Sequence, residues 1–329
     1  MSALSPLAQQ VATRTDALAP TVSEHTVRTP LEEFAAASEE CGARILLKCE
    51  HLQHTGSFKV RGAIAKVSTL DEDQRARGVV AASTGNHGLG VAYALSRLGG
   101  TGFVCVPENA SLVKVAAIRR LGTDVRVLGS SPGQTELLAR ALAEELGSTY
   151  VSPYNDLDVV AGQGTIGREI VEQFGNGDID AVVVSVGGGG LIAGVAAAIR
   201  ARLPGTHIVG ASPANDAAMA ACVKAGSVVE INARPTISDG TAGAVEPGAI
   251  TLPLCAELVD EWVLPPEESI YQALRFVIDT RHQLIEGAAG VAVAAGLDYG
   301  RRNPGATVAV LSCGANISSA TLATALRDK

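Results

Sequence analysis

Residues 48–63 read KCEHLQHTGSFKVRGA. A short apolar run, Ile45-Leu46-Leu47, leads into this stretch. On its far side Val60, Ala63, Ile64 and Val67 recur at the spacing of one helical stripe, which predicts a helix with Ser57 as its N-cap. Lys59 lies off the stripe, in the first turn. The positive end of a helix disfavours a cation there. A lysine whose charge is disfavoured keeps more free amine and is the better nucleophile. The plainer reading is a surface lysine that happens to open a helix, and on the local pattern alone that reading prevails.

Working outward, apolar runs of strand length alternate with helical patterns. Strands are predicted at 79–82, 103–106, 125–128, 181–186, 208–211 and 307–311. Helices are predicted at 32–38, 89–98, 112–121, 135–146, 165–174, 191–201, 267–281 and 287–299. Residues 21–31 read as an irregular lead-in and 71–78 as an exposed connection. Residues 234–254, rich in Gly and Pro, read as a long loop and so as a functional candidate. The alternation is the parallel βαβ pattern, which predicts a doubly wound α/β fold whose ligands sit beyond the carboxyl ends of the strands. A chain of 329 residues is long for a single core and predicts two domains.

Composition narrows the function. A formal net charge of -8 supplies no basic stripe to meet phosphates, which argues against nucleic acid. The six cysteines contain no C-x-x-C pair and the histidines no H-x-x-x-H pair. That argues against zinc and disulfides and for a reducing, cytoplasmic setting. Residues 1–16 lack the basic and apolar regions of a signal peptide. Residues 181–199 carry no charge and are long enough to raise the question of a membrane span, but four glycines interrupt them. They read as a buried strand, a turn and a buried helix.

Three turns follow apolar strands: Ser83–Gly88, Gly187–Gly190 and Cys313–Asn316. The four glycines can aim consecutive N–H groups at one point, where the next helix begins with its positive end, and that makes a phosphate cradle. No Gly-Lys-Ser/Thr follows, so this is no Walker loop. Gly188, Gly190 and Ala193 satisfy a loose dinucleotide pattern, but the next strand ends without an acid for a ribose. The alternative is a tight turn in a crowded sheet. Ser83–Gly88 could hold a carboxylate, with Asn86 adding an amide, or could be a capped helix start. Cys313 alone reads as a buried core thiol.

Taken together these motifs resemble the pyridoxal-phosphate enzymes of the threonine and serine dehydratase family, in the tryptophan-synthase-β structural class (fold type II). The resemblance runs from Thr29-Pro30 to Asn316. It rests on residues 55–63 (TGSFKVRGA), 83–87 (STGNH), 162–165 (GQGT), 187–191 (GGGGL), Asp239-Gly240 and 313–316 (CGAN). It implies two doubly wound parallel-sheet domains with the cofactor crevice between them: a large domain from 1–76 and 156–329, and a small domain from 77–155.

In that arrangement Lys59 would hold the cofactor aldehyde as a Schiff base and act as the base at Cα. Phe58 would pack near the ring, and Asn86 would bond its phenolic oxygen. Gly187, Gly188, Gly189, Gly190 and Leu191 would bind the phosphate. Ser83, Thr84, Asn86 and His87 would take the substrate carboxylate, with Asp239 and Gly240 alongside. Cys313 would face the ring nitrogen. A thiol there does not force that nitrogen to be protonated. This favours β-elimination from a 3-hydroxy amino acid, with the cofactor phosphate as acid for the departing hydroxide.

The alternatives are a serine-type racemase, in which Thr84 would supply the opposite base, and a binding module without chemistry. Ser212 replaces the first carboxylate of metal-dependent relatives and Asp216 is displaced, so no metal is expected. Glu246 either selects among β-substituents or is a solvated loop acid. Glu286 reads as structural. The resemblance also implies a homodimer, and the short stretch after Asn316 implies no C-terminal regulatory domain.

Overall fold

The structure, a computed structural model, describes residues 4–327. Its strands are β1 (Leu31–Glu33), β2 (Arg44–Lys48), β3 (Val79–Ala82), β4 (Gly102–Val106), β5 (Asp124–Val127), β6 (Thr149–Tyr150), β7 (Ala181–Ser185), β8 (His207–Ala211), β9 (Glu261–Val263) and β10 (Thr307–Leu311). They form a six-stranded sheet in the order β1-β2-β10-β7-β8-β9 and a four-stranded sheet in the order β5-β4-β3-β6. All pairings are parallel except β1 with β2 at one edge. The mixed α/β fold with two sheets is the expected one, with an antiparallel edge strand added. Every residue of β7 is buried, as a strand covered by helices on both faces must be.

The uncharged run at 181–199 is strand β7, a glycine turn and the helix Gly190–Arg200. No helix among the described residues is long and apolar enough to cross a membrane. The helix Lys59–Ser68 buries its predicted stripe, Val60, Ala63, Ile64 and Val67. Each of the three branched side chains contributes about 1.5–3 kcal/mol through that burial. Ser57 does not cap this helix. Phe58 is the N-cap and makes no side-chain bond, while Ser57 pairs with Gly314 in a lone β-bridge. The serine is thus held in extended backbone by a tertiary partner.

Several elements lie where the local pattern is misleading. A helix runs from Pro6 to His25, where the sequence reading had a lead-in at 21–31. Ser5 caps it, and Pro20 is tolerated inside it. The helix expected at 32–38 begins only at Ala35, because residues 31–33 pair with β2. Residues 72–77 of the expected exposed connection form a short helix with a capping box.

The helix expected from residue 165 already begins at Leu157, capped by Asp156. Gly162 and Gly164 lie inside it and read as breakers. Gly164 is there because a Cβ would stand 2.3 Å from Thr15 Oγ1 and 3.0 Å from Gly194 O. Gly164 thus lets the helices Pro6–His25 and Gly190–Arg200 pack closely against it, and Gly162 does the same for the helix Lys59–Ser68, since a Cβ there would stand 2.6 Å from Ala65 Cβ.

Candidate active site

The turns after β2, β3, β6, β7 and β10 converge beyond the carboxyl ends of the strands. Phe58 N–H donates to Cys313 O at 3.0 Å, and Ala315 N–H to Gly56 O at 2.8 Å. The Lys59 turn is therefore sewn to the Cys313 turn. Lys59 is half-buried, and its amine donates to Pro153 O at 2.9 Å and lies 5.2 Å from the Phe58 ring centroid. Burial lowers its pKa to about 8, against a smaller upward pull from Cys313, Glu286 and Glu136. The direction matches the sequence reading, but the cause is loss of water rather than the helix end.

Tyr154, the next residue after Pro153, packs on the glycine turn. A Cβ on Gly188 would stand 2.4 Å from the Tyr154 ring, and one on Gly190 2.9 Å from its Cα. Gly189 has φ +86°, a conformation that other residues adopt at a cost. The N–H groups of Gly187 to Leu191 find no acceptor among the loop and turn bonds of the described residues. Five donors at the start of an 11-residue helix are thus available to an anion.

Asn86 opens the helix Asn86–Leu98 after β3, and its Nδ2 donates to both oxygens of Glu286, at 2.9 and 3.0 Å. Thr84 is half-buried in the same turn. The backbone N–H of Ser83 is committed to Cys105 O at 3.1 Å, and its hydroxyl accepts from Gly85 N–H at 3.0 Å. His87 is buried, and its Nε2 lies 2.8 Å from Val151 O. Burial first, then the Lys59 charge, pushes its pKa down to about 3, so the ring is neutral. Any hold of His87 on a carboxylate therefore comes from its backbone.

Cys313 is 1% exposed. Burial and then Glu286 push its thiol far above the ordinary value. Asp239 is exposed and faces Lys114 at 3.6 Å, while a Cβ on the exposed Gly240 would stand 3.5 Å from Glu286 Oε1. Glu246 is not a solvated acid. It pairs with Arg140 at 2.7 Å, and its N–H donates to the Tyr154 hydroxyl at 3.2 Å.

A family model for pyridoxal-phosphate dependent enzymes matches residues 22–314. The chain belongs to that family. It is 41% identical over 290 residues to the L-threonine ammonia-lyase of Thermotoga maritima, covering 88% of this chain and 71% of that one. The processed form of threonine deaminase isoform 2 from Solanum lycopersicum superposes with TM-score 0.93 at 33% identity, over 99% of this chain and 89% of that one. Maize serine racemase superposes with TM-score 0.89 at 28% identity, over 96% of each chain.

The residues of this pyridoxal-phosphate dependent enzyme fit its cofactor. The cradle offers free N–H groups where no side chain has room, and the amine of lowered pKa donates to Pro153, the residue before the tyrosine that packs on the cradle. Gly188→Ala tests the cradle: the added methyl overlaps the Tyr154 ring, and overpacking of this kind costs about 1–3 kcal/mol. Affinity for pyridoxal phosphate, followed by absorbance titration, is expected to fall about tenfold or more.

The sequence reading missed Pro153 and Tyr154 because β6, which places them, is two residues long and shows no periodicity. Glu286 left a signal: it is a lone acid between Ile285 and the Gly-Ala run that follows.

Proposed function

We propose that this enzyme catalyses β-elimination of a 3-hydroxy amino acid such as serine or threonine, releasing a 2-oxo acid and ammonia. The observation that carries the reading is that the turn bearing the Lys59 amine, whose pKa is lowered, is bonded to the turn bearing the buried Cys313 thiol, in a chain similar to threonine ammonia-lyases. When bound, pyridoxal phosphate supplies an electron sink for the charge left at Cα.

In this reading Lys59 anchors the cofactor and takes the Cα proton, and its depressed pKa suits a base near neutral pH. The N–H groups of Gly187, Gly188, Gly189, Gly190 and Leu191 would hold the phosphate. Phe58 would pack near the ring, and Asn86 would donate to its phenolic oxygen. Cys313 would stand against the ring nitrogen and, as a neutral thiol, would leave it without a compelling partner. Thr84, Asn86 and His87 offer backbone donors to the substrate carboxylate, and the Ser83 hydroxyl adds a side-chain donor. Asp239 and Gly240 border the substrate side chain. The Cβ–oxygen bond breaks, water leaves, and the enamine hydrolyses to the 2-oxo acid and ammonia.

Racemisation needs a base on the face opposite Lys59; Thr84 would have to supply it, with a bulkier alcohol than serine, which favours elimination. We take 1–76 with 156–329 as the large domain and 77–155 as the small one, within a homodimer. A cytoplasmic setting is supported by six cysteines that are all buried and unpaired. The test is a screen of 3-hydroxy amino acids of both configurations for ammonia release, with chiral analysis of recovered serine. Ammonia and 2-oxo acid from L-threonine or L-serine are expected. D-serine formed without ammonia would replace the elimination by the racemase reading.

A further inference from the structure

The Asn86 amide is clamped at both ends, and the clamp fixes which way it faces. A backbone oxygen can only accept, so the Asn316 atom 2.8 Å from Thr55 O is nitrogen. The same nitrogen lies 2.6 Å from an amide atom of Asn86, which must then be Oδ1. The remaining Asn86 atom is Nδ2, and it faces Glu286. Two oxygens of one carboxylate lie too close together to receive both hydrogens of an NH2 group, whose N–H bonds diverge by about 120°. One hydrogen is shared between them, and the other is left pointing away from Glu286.

Glu286 also accepts from the N–H of Asn316 at 3.1 Å. It is 3% exposed and stands in space that only a glycine leaves open, since a Cβ on Gly314 would lie 2.6 Å from Oε1. A carboxamide with its oxygen in the Oε2 place would still accept from the Asn316 N–H, but its NH2 would then take the Oε1 place, 2.9 Å from the Asn86 NH2, and set donor against donor where the carboxylate now accepts. The charged and titratable groups around it are Asp239, Lys114, Cys313 and Lys59.

We propose that Glu286 is a positioning residue: across the join between the two sheets it holds the Asn86 amide so that the free N–H meets the cofactor's phenolic oxygen. This rests on the reading of Asn86 given under the proposed function.

The test follows the pH midpoint of the visible absorption band of the protein loaded with pyridoxal phosphate, in Glu286→Gln, Asn86→Ala and the double variant. The Asn86 N–H draws negative charge from the ring oxygen. Losing it leaves that oxygen a stronger partner for a proton on the Lys59 nitrogen, so the midpoint rises. Removing the Glu286 charge alone acts the other way, because a nearby anion favours the Lys59 cation.

The expected result is a rise of about one pH unit in both single variants, with no further rise in the double variant. A fall or no change in Glu286→Gln, while Asn86→Ala raises the midpoint, overturns the role of Glu286 alone. An unmoved midpoint in Asn86→Ala overturns the reading of Asn86 and this proposal with it. Should Glu286→Gln not fold, judged by the thermal midpoint of the cofactor-free protein, Glu286→Asp keeps the charge but not the reach. It is then expected to give the same rise, and an unchanged midpoint there overturns the proposal.

Discussion

Lys59→Ala abolishes the visible absorption band of the cofactor-loaded protein and lowers ammonia release by about 10⁴-fold or more, because one side chain serves as both anchor and base. Spectrophotometric titration with pyridoxal phosphate and a coupled ammonia assay measure the two effects. A retained band, or activity within tenfold of wild type, would exclude Lys59 from both roles. The same variant has a signature without cofactor. Burial lowers the Lys59 pKa from 10.5 to about 8, so between those values the unfolded chain holds a proton that the folded chain has released. Stability contributed by this group therefore rises with pH across that window. Thermal midpoints of cofactor-free wild type, relative to Lys59→Ala, are expected to climb from about pH 8 upward.

Arg61→Met is expected to be the most destabilising single substitution below the site. Arg61 is fully buried two residues beyond Lys59 on the same helix. Its Nε and Nη2 each donate to Glu50 at 2.8 Å, and Nη1 and Nη2 to Glu169 at 2.7 and 3.0 Å. Thr165 Oγ1 accepts from Nη1 at 3.2 Å, and Val27 O from Nη2 at 3.1 Å, so the two Nη2 hydrogens are shared among three acceptors. Lys48 bonds Glu169 at 2.6 Å, and Thr29 bonds Glu50.

Two cations and two anions thus balance out of contact with water. Removing Arg61 strands buried carboxylates, which costs about 3–5 kcal/mol out of a typical total of about 5–15. A thermal midpoint lower by on the order of 10 °C is expected. Breaking the exposed Arg168–Glu172 pair is expected to cost under about 0.5 kcal/mol, because water screens it.

The network also has a pH signature. Burial alone would raise the Glu50 pKa, but the Arg61 guanidinium outweighs it and holds the carboxyl below its ordinary 4.5. That stabilisation is fully present above pH 4.5 and is lost as pH falls through the lower folded value.

Much of this was legible before any coordinates. Local pattern exposes strands buried on both faces as short apolar runs, and it exposes the helix after Lys59 through the stripe Val60, Ala63, Ile64 and Val67. It also exposes turns at strand ends through their glycines. Other features resist it for physical reasons. The helix Pro6–His25 was obscured by Pro20, a breaker that this helix accommodates. Gly162 and Gly164 look like helix ends from the sequence, yet they serve close packing between helices. Arg61 gives no local sign of its burial, because its partners Glu50 and Glu169 come from separate elements.

By itself, then, the sequence determined that the chain is an α/β protein with an amine, a polyglycine turn and a polar turn at strand ends, since alternation and turn chemistry are properties of neighbours along the chain. Tertiary structure alone decided that these turns meet, that burial rather than a helix end lowers the Lys59 pKa, and that Glu246 is tied to Arg140. It alone put Glu286 behind Asn86. Hydrogen bonding and desolvation act through space over a few ångströms, and the residues they join here lie up to 261 positions apart.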